Sequence, residues 1–123
     1  MDERRLEYLI REKKYVTLKK ELEDMNQVDV AELLEPLDIH TSLLIFRMLP
    51  KDLAVDVFAH FSVEQQREFI SLVTDKELKD IIDELFFDDM IDIIEEVPAN
   101  IVKKILLNAK EEERNLINQF LKY

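Results

Sequence analysis

Several acidic side chains are spaced so that they share an outward helix face, which could bind a divalent cation. Asp88 and Asp92 are four residues apart, which places them side by side on one face of a helix. Asp56 lies three periods of a twelve-residue repeat before Asp92 and therefore has the same helical position. The repeat predicts an acidic face, since the same position is also held by Glu32, Glu68 and Asp80. Hard cations such as Mg²⁺ and Ca²⁺ prefer carboxylate oxygens, and Mg²⁺ takes only one or two carboxylates while keeping several waters. Such a face suits hydrated Mg²⁺ better than a dedicated protein cage.

A simpler interpretation of the same acids stays open. Acidic side chains in the first turn of a helix are favoured by the helix dipole, which accounts for Asp88 and Asp89 without any ligand. Runs of charge often form nothing more than a solvated face. Neither His40 nor His60 has a partner at the spacing typical of metal ligands, so both are interpreted as structural or exposed.

The elements that would position these aspartates follow from a twelve-residue repeat. Counted from eight unit starts, the seventh, eighth and eleventh following residues are apolar, except at Asn118. The unit starts are Asn26, Asp38, Pro50, Ser62, Thr74, Phe86, Pro98 and Lys110. The apolar triplets run from Leu33, Leu34 and Leu37 in the first unit to Ile117, Asn118 and Leu121 in the last. Residues spaced by one, three and four share one side of a helix and never one side of a strand.

Residue types at the unit starts support short helices. Pro50 and Pro98 fit the entry turn, and Asp38 can act as an N-cap. Ser62 with Gln65, and Thr74 with Glu77, have the pattern of a capping box. These starts and the two boxes predict one helix of about ten residues per unit.

Such short helices must stack to be stable. Isolated helices below about 12–15 residues are marginal in water. Stacked short helices form an α-solenoid, here built from 24-residue pairs. Residues 2–25 predict two further helices that cap the array. The expected fold is therefore all-α, with about ten short helices in a single domain over residues 1–123.

Composition narrows the function. The chain has no glycine, which excludes phosphate-cradling loops, and no cysteine, which excludes disulfides and thiolate metal sites. No apolar run approaches the roughly 20 residues of a membrane span. The formal charge is −11, and residues 75–96 hold ten acids against Lys76 and Lys79. Binding to nucleic acid or to anionic membranes is therefore disfavoured, and a cation or a basic protein surface is the expected partner.

Catalysis finds no support in the sequence. It contains no nucleophile elbow and no glycine-rich turn beside a serine. Carboxylate pairs are present, but nothing marks an apolar pocket that could separate their pKa values. The chain is predicted not to be an enzyme.

Three segments resemble a known family. They are residues 29–35 (DVAELLE), 48–58 (MLPKDLAVDVF) and 87–98 (FDDMIDIIEEVP). Together they are similar to the cytosolic N-terminal domain of MgtE-type magnesium channels and transporters, with a likeness that extends from about Val28 onward. Residues 118–123 (NQFLKY) are similar to the family's junction before a pair of CBS domains, which precede a membrane domain.

The resemblance implies a right-handed superhelix that senses Mg²⁺ on the cytoplasmic side of the membrane. In this family Mg²⁺ bound between the N domain and the CBS domains of the same protein holds a compact, closed state. The family's metal-contacting acids fall on Asp56, Asp88 and Asp92. Asp56 stands where the family has glutamate, and its shorter side chain could bind Mg²⁺ through a water molecule.

The resemblance also implies that this chain is cut from a longer, homodimeric protein and binds Mg²⁺ only weakly alone, since it would hold half of each site. An alternative function is a protein-interaction scaffold, similar to the armadillo-like region of the flagellar switch protein, that binds no metal. This alternative predicts indifference to divalent cations.

Overall fold

The structure, a computed structural model, describes residues 1–85 and 87–121, of which Phe87, Phe120 and Leu121 are described by their backbone alone. The described residues form ten α-helices and no strand. The helices are α1 Glu3–Arg11, α2 Tyr15–Glu23, α3 Gln27–Leu34, α4 Ile39–Met48, α5 Lys51–His60, α6 Val63–Leu72, α7 Asp75–Glu84, α8 Phe87–Glu96, α9 Ala99–Asn108 and α10 Glu111–Leu121. The prediction of an all-α fold with about ten short helices is confirmed.

The twelve-residue repeat sets the helix boundaries. From α3 to α10, each helix begins one residue after a predicted unit start, as with Gln27 after Asn26 and Ala99 after Pro98. The start at Phe86 itself lies outside the described residues, and α8 begins at Phe87. The unit starts therefore occupy the residue before each helix, where a side chain can accept the free N–H groups of the first turn.

Side-chain caps explain several of these starts. The Asn26 side chain accepts a hydrogen bond from the backbone N–H of Asp29, at 3.0 Å. At Asp38 the carboxylate accepts from both the hydroxyl group and the backbone N–H of Thr41. These two hydrogen bonds, with the hydroxyl group contributing most, hold the pKa of the Asp38 carboxyl group below its ordinary value. Local hydrogen bonds thus fix where α3 and α4 begin.

The capping box predicted at Thr74 is present in full. The Thr74 hydroxyl oxygen accepts from the backbone N–H of Glu77 at 3.2 Å, and the Glu77 carboxylate accepts from the backbone N–H of Thr74 at 3.1 Å. Both donors would otherwise be unsatisfied in the first turn of α7.

Removing this cap is expected to cost about 1 kcal/mol. Thr74→Ala deletes the hydroxyl oxygen that caps α7, and N-cap substitutions by alanine destabilise by roughly 0.5–2 kcal/mol. Urea denaturation followed by circular dichroism would measure the loss. Thr17→Ala, at an exposed position inside α2, is the matched control and should change stability by less than about 0.5 kcal/mol. Equal effects of the two substitutions would contradict the assignment of the cap.

The first compact unit spans Met1–Ser62. Within it α1 packs on α2, and α3 packs on α5. Leu6, Leu9, Leu18 and Leu22 are buried between the first two helices and their neighbours. The hydroxyl group and backbone N–H of Ser62 both donate to the carboxylate of Glu35, which joins the end of α5 to the end of α3.

Aromatic rings fill much of the core of this first unit. The rings of Phe46 and Phe61 have centroids 6.2 Å apart, and those of Phe58 and Phe61 are 6.3 Å apart in an edge-to-face arrangement. All three side chains are buried. Pairs with this geometry add stabilisation beyond the area they bury.

The second compact unit spans Val63–Tyr123. Within it α7 packs on α9, and α6 packs on α8 and α9. The helices of the pairs α7/α9 and α6/α8 begin 24 residues apart, as do those of the pair α3/α5 in the first unit. Stacked 24-residue pairs require each helix to contact the helix two positions later in the chain, and these three pairs do so. The single domain over residues 1–123 and the right-handed superhelix stay predictions.

The apolar triplets form the core of both units. Among the described side chains, every apolar member of the eight triplets is buried or half-buried, and none is exposed. Asn118, the polar exception, is exposed, and the side chain of Leu121 lies outside the described residues. The repeat therefore identified core positions correctly because a short helix can bury only one stripe of its surface.

Candidate functional site

All three aspartates predicted to bind metal are exposed. Asp56 lies in the second turn of α5, in the first compact unit, between the buried residues Val55 and Val57. Asp88 lies in the first turn of α8 and Asp92 in its second turn, in the second compact unit. The burial of apolar residues on each helix thus turns these carboxylates toward solvent, as the helical spacing predicted.

The carboxylates of these three residues are free to take a ligand. None of them makes a side-chain hydrogen bond or an ion pair with any other residue that the structure describes. Asp88 and Asp92 are also adjacent on one face of α8, where two like charges destabilise the helix by a few tenths of a kcal/mol unless a cation neutralises them.

Other acids at the same position in their units are less uniform. Glu32 is exposed, but Glu68 and Asp80 are half-buried. Asp80 also makes contacts of its own with neighbouring groups. The acidic face inferred from the repeat is therefore fully exposed at some units and partly covered at others, because neighbouring helices cover the same position to different degrees.

A surface pocket in the first unit collects further carboxylates. Its lining includes the acids Glu3, Asp24, Asp29 and Glu32 together with Asn26. The repeat pointed only to Glu32 in this group. Glu3 and Asp24 lie before the first repeat unit, so no periodic signal could place them beside it; their placement follows from how α1, α2 and α3 pack.

The donor set fits Mg²⁺ as a partly hydrated ion. Within residues 1–85 and 87–121, no three side chains of His, Asp or Glu lie close enough together to hold a metal ion by themselves. Among the described residues, α5 instead offers the free carboxylate of Asp56 and α8 the two of Asp88 and Asp92, and one or two carboxylates is the number that Mg²⁺ commonly accepts while waters complete its octahedral shell. The residues present thus fit an open site completed by other ligands better than a closed protein cage.

Two further sequence predictions concern histidines and membrane spans. His40 and His60 are both exposed, as one of their two interpretations proposed. None of the ten helices, in the part of the chain that the structure describes, combines the length and apolar character needed to cross a bilayer.

Short helices that follow a twelve-residue repeat, with exposed carboxylates on their outer faces, define an all-α helical-repeat protein. The sequence matches the model of one such family, the MgtE intracellular N domain, over residues 25–123. The chain therefore belongs to this family, and the resemblance identified from three short segments is confirmed. Residues 1–24, which contain α1 and α2, precede the matched region.

A solved structure has the same fold. The chain is similar to the cytosolic domain of the Mg²⁺ channel MgtE, crystallised in complex with ATP, with a TM-score of 0.79 and 24% sequence identity. The alignment covers 96% of this chain and 49% of that structure, so the chain spans about half the length of the protein it matches. No curated protein matches the sequence.

Proposed function

We propose that this chain is the Mg²⁺-sensing regulatory domain of a magnesium channel or transporter and has no enzymatic activity of its own. Membership in the MgtE intracellular N domain family supports this function over a metal-independent interaction scaffold. The observation that carries the proposal is that the carboxylates of Asp56, Asp88 and Asp92 are exposed and have no partner among the described residues.

The proposed partners lie in the same longer protein. CBS domains would follow this domain and supply the remaining ligands, and a membrane domain would form the pore. The full-length protein would be a homodimer, with this domain on the cytoplasmic side of the membrane. The matched structure is about twice as long as this chain, which leaves room for such further domains.

Electrostatic repulsion would make the domain respond to the Mg²⁺ concentration. Two unit charges about 6 Å apart repel by roughly 0.7 kcal/mol in bulk water, and by more as water is excluded between approaching surfaces. An acidic surface such as that of α8 therefore separates from another acidic surface when cations are scarce. Bound Mg²⁺ would neutralise both surfaces and favour the compact, closed state.

The isolated domain should bind Mg²⁺ only weakly. No three suitable side chains cluster in its described residues, so at most one or two carboxylates contact an ion at a time. We expect a dissociation constant on the order of the millimolar values of sparsely caged sites. Asp56 is one methylene shorter than glutamate, and we expect it to contact Mg²⁺ through a water molecule.

The test uses the longer protein that includes the CBS domains. Small-angle scattering during a Mg²⁺ titration should show compaction in the unmodified protein. The triple variant Asp56→Asn, Asp88→Asn and Asp92→Asn should need at least about tenfold more Mg²⁺ to compact, since all three charged ligands are lost while their shapes are kept.

A matched variant separates ligand loss from a general change of charge. Asp52, Glu111 and Glu112 are exposed acids in the first turns of α5 and α10. Replacing these three by Asn or Gln removes the same charge and should leave the Mg²⁺ midpoint within about twofold. Compaction that is unchanged by the first variant would refute the site, and indifference of the unmodified protein to Mg²⁺ would favour the scaffold.

A further inference from the structure

Positive charge is concentrated at one end of an otherwise acidic chain. Residues 11–20 (REKKYVTLKK) contain five bases and one acid, a formal charge of +4, whereas the whole chain carries −11. This segment includes the end of α1, the turn and the first two-thirds of α2. It also precedes the region that matches the family model, so the family's Mg²⁺ site gives no account of it.

The structure gathers two of these cations, together with Arg5, around one aromatic ring. The charged groups of Arg5, Arg11 and Lys14 lie 5.7, 6.0 and 5.2 Å from the centre of the Tyr8 ring. Lys13, next to Lys14, adopts a positive φ of 56° in the turn. Cations held within about 6 Å of a ring are attracted by its quadrupole. Mutual repulsion among the bases is thus offset, and they remain together at the surface.

Part of this positive charge has no internal counterpart. Arg5 pairs with Glu21 and Arg11 with Glu12. Lys13, Lys14 and Lys20, in contrast, have no carboxylate within ion-pair distance among the described residues. These three lysines therefore offer charge to an external anion.

Exposed apolar side chains lie between the lysines. Val16 is 73% exposed and Tyr15 is 39% exposed, both in the first turn of α2. Val16 and Lys20 are four residues apart and share a face of α2, while Leu18 and Leu22 are fully buried on the other side. At this exposure Val16 makes little contact with the core, so the fold does not require an aliphatic residue at this position.

We infer that this basic tip, defined as Lys13, Lys14, Tyr15, Val16 and Lys20, docks on an anionic phospholipid surface. Lysines attract anionic headgroups, tyrosine is favoured at the bilayer interface, and an exposed aliphatic side chain gains by reaching the acyl boundary. An acidic protein surface would satisfy the lysines, but it would contact Val16 only where it also carried an apolar patch. The choice of lipid also rests on the proposed function, which places the domain beside a membrane.

The net charge of the whole chain does not prevent such docking. At an ionic strength of 0.1 M the Debye length is about 10 Å, so acids farther than this from the tip repel the surface only weakly. The local charge of the tip decides the interaction. The net charge of the whole chain disfavours anionic membranes because it averages the basic tip with the acidic remainder of the chain.

Vesicle sedimentation tests the inference with the chain as it is, in buffer without Mg²⁺. The chain should sediment with vesicles of equal parts phosphatidylglycerol and phosphatidylcholine, and not with pure phosphatidylcholine. Lys13→Gln with Lys14→Gln should lower the partition coefficient on the order of 20-fold, since each basic residue near an anionic surface contributes about fivefold. Val16→Ser should lower it about tenfold.

Matched replacements in the second unit serve as controls. Lys103 and Lys110 are exposed lysines, and Leu107 is 70% exposed, nearly as much as Val16. Lys103→Gln with Lys110→Gln, and Leu107→Ser, should each leave vesicle binding within about twofold. Circular dichroism of every variant should match the parent, since all six replaced positions are exposed.

Three outcomes would overturn the inference. One is no preference for anionic vesicles, and another is an equal loss of binding in the control variants. The third is concentration-dependent self-association without lipid that Lys13→Gln with Lys14→Gln abolishes, because the tip would then bind the acidic surface of a second copy. None of these outcomes involves Mg²⁺ or the three aspartates, so failure here is distinguishable from failure of the proposed regulatory function.

Discussion

Phe58→Ala is expected to lower the free energy of unfolding by about 3–5 kcal/mol. Phe58 is 1% exposed on α5, the helix that packs on α3, and its ring lies edge-to-face on Phe61. Truncation removes the buried ring, leaves a cavity that the short helices can fill only partly, and ends the aromatic pair. Small domains are stable by only about 5–15 kcal/mol, so this one substitution would remove a large part of the stability.

Chemical denaturation followed by circular dichroism would measure this loss. Leu44→Ala is the matched control, because Leu44 is an apolar residue of the same unit that is 51% exposed on α4. Its effect should stay within about 0.5 kcal/mol. A loss below about 1 kcal/mol in Phe58→Ala would show that the twelve-residue repeat marks helix positions without marking the energetic core.

Lys104→Ala is expected to destabilise the chain by about 2–3 kcal/mol. The Lys104 ammonium group, half-buried on α9, donates to the backbone carbonyls of Ile70 at 2.6 Å and Val73 at 3.0 Å, where α6 ends. Hydrogen bonds with one charged partner contribute about 1.5–3 kcal/mol, and a cation at a helix C-terminus is favoured by the dipole. Its removal leaves two carbonyls of the α6 terminus without this donor.

Two comparisons separate the hydrogen bonds from packing. Lys104→Met keeps the aliphatic stem and loses only the charged donor, so it should show most of the destabilisation. Lys103→Ala removes an exposed lysine from the neighbouring position and should change stability by less than about 0.5 kcal/mol. If Lys104→Met were as stable as the parent, the stem and not the ammonium group would join α9 to the end of α6.

The candidate site illustrates how far sequence reasoning reaches. Helical periodicity placed Asp56, Asp88 and Asp92 on exposed helix faces, and the structure agrees. It could not find the acids that line the pocket of the first unit, since Glu3 and Asp24 come from outside the repeat. Nor could it show that Lys13 and Lys14 have no carboxylate partner among the described residues.

The amino-acid sequence by itself determined the local structure. Short-range interactions set the helix starts at residues such as Asn26 and Thr74, the helix lengths and the buried stripes. The side chains involved lie within one or two turns of each other, so the local sequence specifies these interactions. The family followed from short segments for the same reason.

Only the tertiary structure decided contacts between distant residues. Lys104 reaches carbonyls more than 30 residues earlier, Ser62 binds Glu35, and neighbouring helices cover Glu68 but not Glu32. Such contacts depend on how the stacked helices lie against one another, and this depends on the sum of many packing interactions that no short pattern contains. The repeat therefore fixes which way a carboxylate faces, while packing decides what lies beside it.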